Sequence, residues 1–341
     1  MNAAAVQNSL ADLRAALEAR LAAETGRTVA VSAIEPLGGG ACQDNYRVDL
    51  DLADGGGPRV MVLRGDARRS LAGSIDRRAE FAVISAAVAA GVRTPAARFL
   101  MEDLVRPGAW AYLLEWADGV AIGRRVLRDA DLAEARRGLA ATVGRELARI
   151  HSITPDRTPL PFDAAPDTMD GLRFARESVA SLREPRPALS IALRWLAEHP
   201  PEGREIVLVH GDFRTGNFMV TPAGLSAVLD WEFARWGSPA EDLAWIQMRT
   251  WRFNSNKLPV GGFGRRDDLY EAYEKASGRA VSRRDVHYHE VLGNVRWAAG
   301  CVQQGERYLS GEEQDLELIA IPRRAVEMEF EALRLIEKGP A

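Results

Sequence analysis

Two cysteines in 341 residues, Cys42 and Cys301, are too few for a disulfide framework and too far apart for any zinc spacing. No apolar run reaches the roughly 18 residues that a membrane-spanning helix requires; the nearest approach is the Ala/Val-rich stretch 81–92. An excess of one charge is also lacking. The 44 Lys+Arg and 48 Asp+Glu leave a net charge of −4, which excludes a global polycationic surface and, with it, nucleic acid or an anionic membrane as the expected main partner. There is no internal repeat, no low-complexity tract and no long charge block. Neither GxGxxG nor a GKS/GKT phosphate motif occurs, so a Rossmann or Walker site lacks its signature. What is present is ordinary globular material, 47% hydrophobic and 27% charged, long enough for one two-lobed unit or two domains. Residues 1–26 place Val6, Leu10, Leu13, Leu17 and Leu21 at helical spacing among Arg and Glu, an amphipathic helix without the apolar stretch of a signal peptide. The expectation is a soluble cytoplasmic protein.

The chain changes character near residue 117. Before it, residues 45–51 and 59–65 flank the turn-rich 53–58 and predict a β-hairpin. A helix with Phe81, Ile84 and Val88 on one face follows and should stop near Gly91, ahead of Pro95. Residues 109–116 predict a buried strand, and Asp118-Gly119 a turn between lobes. Beyond residue 120 helical periodicity prevails, with Leu132, Leu139, Val143, Leu147 and Ile150 on one apolar face. The exception is 206–231, where short apolar runs surround a polar loop. Loops carried on a rigid scaffold are where catalytic groups tend to sit.

That loop reads His210-Gly211-Asp212-Phe213-Arg214-Thr215-Gly216-Asn217, and Asp230-Trp231-Glu232 follows. Asp212 and Asn217 have the separation of a kinase catalytic loop, in which the Asp accepts the proton of the attacking hydroxyl and the Asn holds a metal ion. Asp230, after a strand, matches the second Asp that carries Mg²⁺ in phosphoryl transfer. Oxygen donors of this kind suit a hard cation far better than zinc. The competing view makes Asp212 and Asn217 ordinary turn residues that satisfy backbone donors. Against it stands the conjunction of strand, HGD, spaced Asn, hairpin and second Asp in one order.

With these motifs in view, the sequence resembles the aminoglycoside phosphotransferase family, which shares the protein-kinase-like fold with choline kinases and other small-molecule kinases. The resemblance covers nearly the whole chain. It is carried by HGDFRTGN at 210–217, LDWEFARWGSPAEDLAW at 229–245, LARIHSI at 147–153 and the weaker LGGGACQDNYRV at 37–48. It implies an α+β, two-lobed fold: a small β-rich N-lobe over residues 1–116 that covers the nucleotide, and a larger, mainly helical C-lobe over 117–341 that holds the catalytic loop and the substrate-binding helices. By position it implies Asp212 as catalytic base, Asn217 and Asp230 as Mg²⁺ ligands, His210 as a structural member of the loop and Asp242 as its brace. ATP or GTP would be the co-substrate.

Gly39 and Gly40 would let backbone N–H groups approach the phosphates. Arg64 stands where a kinase has its phosphate-pairing Lys; it keeps the charge, but its planar fork is not a Lys ammonium. Glu80 is its expected partner. Glu115 and Trp116 resemble the hinge that meets the nucleotide base. Glu232, two residues after Asp230, is a candidate for a metal or substrate group and equally for a structural carboxylate. Trp231, Trp236, Trp245, Trp251 and Trp297 are interleaved with Arg235, Arg249, Arg252 and Arg296, a mixture ill suited to a polycationic antibiotic. The expected acceptor is therefore a hydroxylated small molecule with an acidic or acyl portion, and Arg249 and Arg252 are its candidate handles. Two alternatives stay open: a pseudokinase-like module that binds nucleotide without transfer, and a metal-dependent hydrolase using His210, Asp212 and Asp230. His287 and His289 are two apart on a helical segment and are expected not to share a ligand.

Overall fold

The computed structural model describes residues 3–37, 44–66, 73–162, 170–311 and 316–340. Alternating side chains in 45–51 and 59–65 produce the expected hairpin, as strands β2 (Asp44–Asp51) and β3 (Arg59–Gly65), with β1 (Ala30–Pro36) ahead of them. With β4 (Ala97–Glu102) and β5 (Trp110–Glu115) they form an antiparallel sheet in the order β1-β2-β3-β5-β4. One face is apolar: Val48, Leu50, Met61, Leu63, Met101 and Leu113 bury together with Leu17 and Leu21 of the helix Ala3–Thr25. The helix Arg77–Ala89 starts on Asp76, whose side chain accepts the Ala79 N–H at 2.7 Å, and it buries Glu80 beside Val83 and Ile84. These elements make one unit, Met1–Asp118 together with Leu229–Ala234.

The second unit, Gly119–Val228 and Arg235–Ala341, is mainly helical. All five residues of the expected apolar face between 132 and 150 are buried, but the helix is interrupted: Leu132 closes a short turn Ala130–Leu132, and Gly138 separates Ala133–Arg137 from Leu139–Ile150. The helix Arg283–Leu309 packs against Pro187–Glu198 and Ala325–Lys338 over a core that includes Leu189, Leu196, Val291, Val295, Met328 and Leu335. Two small ladders interrupt the helices. Strand β6 (Val207–Val209) pairs with β9 (Arg235–Gly237), and β7 (Phe218–Thr221) pairs with β8 (Gly224–Val228). Among the described residues no helix is long and apolar enough to cross a membrane.

Candidate active site

Where β6 ends, the chain turns into His210-Gly211-Asp212, and Asp242 holds the turn from 32 residues away. Asp242 is buried in the helix Pro239–Trp245, which Ser238 and Glu241 cap reciprocally. Its carboxylate accepts the N–H of His210 at 2.7 Å and of Gly211 at 2.9 Å, and lies 3.1 Å from Nε2 of the buried His151. The other ring nitrogen of His151 meets the Tyr273 hydroxyl at 3.0 Å. Gly211 sits at φ +79°, a conformation that side-chain-bearing residues rarely adopt, so the turn needs glycine there. Burial alone would raise the pKa of Asp242. The hydrogen bond and charge of His151, with His210, outweigh it and hold the carboxyl below its usual range.

Asp212 lies at the centre of this loop. Trp245 Nε1 donates to its Oδ1 at 2.6 Å, Arg214 Nε lies 3.1 and 3.2 Å from its two oxygens, and Asn217 Nδ2 donates to Oδ2 at 2.6 Å and to its backbone carbonyl at 3.0 Å. These donors come from three side chains, which is not how a turn satisfies its own backbone. With Nδ2 of Asn217 committed, Oδ1 is the atom left to ligate a cation. Arg214 stacks over the Trp251 ring, 4.5 Å from its centroid. Trp245 is fixed in turn by the helix Arg283–Leu309. A Cβ at Gly293 would meet Met248 Sδ at 2.8 Å and the Trp245 ring at 3.3 Å, so the helix approaches this closely only through glycine.

The first unit carries a separate charged cluster. On β3, Arg64 Nη2 donates to Glu80 Oε1 at 3.0 Å and lies 3.4 Å from Asp230 Oδ1. Arg77 Nη1 donates to Glu80 Oε2 at 2.5 Å, while its Nη2 is 4.0 Å from Glu232 Oε2. The segment is pinned by the Ile75 N–H on the Glu232 carbonyl at 2.8 Å and by Trp231 Nε1 on Thr94 Oγ1 at 3.1 Å. Asp230 stands at φ +67°, the left-handed region, which Asp tolerates better than most residues. Burial opposes the charges of Arg64 and Glu80, yet their mutual attraction, with Arg77, prevails. Arg64 is held above and Glu80 below the ordinary range. Glu232 is pushed up to about 7, first by burial and then by the neighbouring Asp230 charge.

Three carboxylates face two guanidinium groups in this cluster. Among the described residues no three His, Cys, Asp or Glu are grouped to hold a metal ion by themselves; the Asp230 carboxylate, its side chain 30% exposed, is the oxygen donor of this cluster that a hard divalent cation such as Mg²⁺ could reach.

The remaining candidates fall in varied surroundings. Gly39 and Gly40 lie outside the described residues. Glu115, at the end of β5, is exposed and bridges to Arg98 at 3.0 Å; Trp116 is exposed and donates from Nε1 to Asp118 at 3.1 Å. His210 is fully buried, its Nδ1 accepting the Asp212 N–H at 3.3 Å and its ring against Phe213. Arg249 is half-exposed, 3.8 Å from Glu331. Arg252 is buried and donates from Nε to the Gln247 carbonyl at 3.2 Å. Sequence reasoning gave no role to Arg77, His151, Arg214 or Trp245. Signals were present for three of them, His151 closing an apolar helical face and Arg214 and Trp245 lying within the two motifs at 210–217 and 229–245.

With the site described, relatives can be compared. The sequence model of the APH phosphotransferase enzyme family matches residues 33–279. Curated relatives include acyl-CoA dehydrogenase family member 11 of Gallus gallus, 32% identical over 288 residues, covering 75% of this chain and 35% of that protein. Acyl-CoA dehydrogenase family member 10 of Mus musculus is 31% identical over 217 residues, covering 60% of this chain and 19% of that protein. The chain thus spans about a third or less of these relatives' length. Among solved structures, a candidate aminoglycoside phosphotransferase from Ralstonia eutropha has a TM-score of 0.73 at 20% identity, covering 96% of this chain and 99% of the other. The GDP complex of aminoglycoside 2'-phosphotransferase-IIIa has a TM-score of 0.62 at 15% identity, with 94% and 98% coverage. A choline/ethanolamine kinase family protein from Mesorhizobium loti has a TM-score of 0.59 at 17% identity, with 95% of each chain covered. A five-stranded antiparallel sheet in one unit and a helical second unit agree with that kinase-like fold, and with the family model matching well over half its length the chain belongs to the APH phosphotransferase enzyme family.

Proposed function

We propose that this protein is a kinase that moves the γ-phosphoryl group of ATP or GTP to an alcohol oxygen of a small molecule, with Asp212 as the catalytic base. The observation that carries the reading is the setting of Asp212. Three side-chain donors orient its carboxylate, on a loop whose backbone Asp242 braces. In the step itself, the acceptor oxygen bonds to the γ-phosphorus and the bond from that phosphorus to the β–γ bridging oxygen breaks. The hydroxyl proton passes to the Asp212 carboxylate and the nucleoside diphosphate leaves. Such chemistry depends on position and electrostatics, which is why a pre-oriented carboxylate matters more than a reactive one.

Asn217 and Asp230 would hold Mg²⁺, which when bound neutralises charge on the phosphates. Arg64, steadied by Glu80, would pair with a phosphate through its planar fork. Gly39 and Gly40 would cover the phosphates, and Glu115 and Trp116 would meet the base through backbone groups. The first unit would serve the nucleotide and the second the catalytic loop and acceptor. Named complexes of structural neighbours with GDP and with AMP support a nucleotide co-substrate.

One contact favours a second reading. Arg64, at the position where a kinase has its Lys, is 3.4 Å from Asp230, and an Arg committed to that carboxylate would suit a module that binds nucleotide without transferring phosphate. A single assay separates the two: ADP or GDP release with Mg²⁺ and each triphosphate against hydroxy acids, acyl-CoA thioesters, sugars, amino alcohols and aminoglycosides. Acceptor-dependent release that Asp212→Asn abolishes supports the kinase. Nucleotide binding without release from any acceptor supports the binding module.

A further inference from the structure

Beside the Asp212 loop, within the second unit, lies a small, partly enclosed crevice lined by Gly211, Arg235, Glu241, Trp245, His289 and Arg296. His289 and Arg296 come from one face of the helix Arg283–Leu309, seven residues and about two turns apart. Trp245, which donates to Asp212 from its other side, forms part of the same wall.

The charges in this crevice are unevenly matched. Glu241 is its main counter-charge, and both of its oxygens are engaged: Oε1 accepts the Ser238 N–H at 3.0 Å, and Oε2 accepts from Arg235. Asp242, also in the wall, is taken up by the His210 and Gly211 N–H groups and His151. Arg296 is left 3.9 Å from Glu241 Oε2, beyond hydrogen-bond reach, and its guanidinium otherwise lies 5.5 Å from the centroid of the Phe174 ring. Among the described residues no acceptor hydrogen-bonds to it. His289 is 7% exposed, and its buried Nε2 has no hydrogen-bond partner among the described residues. A guanidinium whose counter-charge Glu241 is shared with Arg235, and a buried imidazole that donates in its Nε2–H tautomer, offer one wall's N–H groups to an oxyanion.

Resting on the kinase reading above, we propose that Arg296 and His289, with Arg235 behind them, form a subsite that holds a carboxylate of the acceptor and so presents its hydroxyl to Asp212. The acceptor class is then hydroxylated carboxylic acids. Placement supports it. Trp245 lines the same crevice as Arg296 and donates to Asp212 Oδ1 at 2.6 Å, so one indole touches both the subsite and the proposed base. Burial and the neighbouring Arg235 push Arg296 down to about 10, the response of a guanidinium short of negative charge. A carboxylate would relieve both. This assignment moves the acid handle from Arg252, which spends its donors on the Gln247 carbonyl, to a residue whose donors are unspent.

The test compares hydroxy acids with their primary amides of the same skeleton, under Mg²⁺ with ATP and with GTP. Nucleoside diphosphate release is read for the wild type, Arg296→Gln, Arg296→Lys and His289→Gln. Nucleotide binding and thermal melting are measured on the same samples. The expected result is turnover of an acid but not of its amide, with KM for the acid raised at least about tenfold in Arg296→Gln, less in Arg296→Lys, and nucleotide binding unchanged. Equal turnover of acid and amide, or an unchanged KM in Arg296→Gln, overturns the subsite and leaves the kinase standing. If Arg296→Gln fails to fold, Arg296→Lys and the wild-type acid-to-amide ratio decide alone. No release with any acceptor and either triphosphate overturns the kinase reading, and the subsite with it.

Discussion

Glu80 in the first unit is gripped by two guanidinium groups, Arg64 at 3.0 Å and Arg77 at 2.5 Å; Asp242 in the second is gripped by two backbone N–H groups and a histidine. Both carboxylates are buried, and both are held below their ordinary pKa. The means differ. Charge against charge is tolerant of angle and binds the cluster through Coulomb attraction, so removing one member strands the others. Backbone N–H donors fix the direction of a carboxylate and, through it, the path of the chain. The first arrangement suits a surface that must balance a variable load of charge, the second a loop whose geometry must not vary.

Asp212 shows the largest expected effect. Asp212→Asn keeps the shape and removes the proposed base, so turnover with the acceptor should fall by about 10²–10⁴ while the far-ultraviolet circular dichroism is retained. Wild-type turnover would remove Asp212 from the mechanism. Next is Glu80→Gln, which leaves Arg64 and Arg77 buried without a full counter-charge and should cost about 3–5 kcal/mol in urea unfolding. A loss below about 1 kcal/mol would mean that Asp230 and Glu232 rebalance the cluster, breaking the contrast drawn here. Asp242→Asn sets an amide N–H against one of the donors and should cost about 1–3 kcal/mol, with a fall in turnover beyond what the lost folded fraction explains.

The pH dependence follows from the same pair. Each carboxyl has a folded pKa lowered from its unfolded value, 4.5 for Glu80 and 3.8 for Asp242, so each contributes stability that is complete above the unfolded pKa and lost as pH falls through the folded one. Glu232, raised from 4.5 to about 7, works the other way and costs stability as pH rises through that range, so the lowered pair is read on the acid limb: below about pH 5 the loss of stability in urea unfolding should be shallower in both Glu80→Gln and Asp242→Asn than in the wild type. The smallest effect is reserved for a pair made of the same groups but exposed. Arg98 and Glu115 sit 3.0 Å apart with side chains 56% and 48% exposed, and Arg98→Ala should cost less than about 1 kcal/mol. A larger loss would show that burial is not what separates the two kinds of ion pair.

Much of the scaffold was legible. The hairpin of β2 and β3 follows from period-two alternation around a Gly-rich turn, and the helix Arg77–Ala89 from its helical spacing and its stop before Gly91 and Pro95; the face it buries is Ala79, Val83, Ile84 and Ala87, not the expected one, since Val88 is exposed and packing chose the neighbouring stripe. Strand β4 was not legible, because its pairing with β5 shifts register between Arg98 and Met101 and Phe99 takes a positive φ, which breaks the alternation that would mark it. The interruption at Gly138 was hidden too, since the apolar face runs on across it. At the site, the HGD turn and its spaced Asn are a local pattern; the donors that orient Asp212 are not. Trp245 lies 33 residues from it and looks like core, and Arg252 reads as a surface handle until its donors are seen on the Gln247 carbonyl.

By itself, then, the sequence determined the strands and helices whose periodicity is unbroken, and the order of the residues to which the proposed phosphoryl transfer assigns its roles. Those signals are local, set by backbone preference and by the repeat of apolar side chains within a few turns. Only the tertiary structure decided which charges meet: Arg64 with Asp230 across 166 residues, Asp242 with the His210 and Gly211 N–H groups, and Arg296 held 3.9 Å from Glu241 with no hydrogen-bond acceptor among the described residues. A guanidinium or a carboxylate carries no local mark of its partner, because its energy depends on distance and burial, and packing sets both.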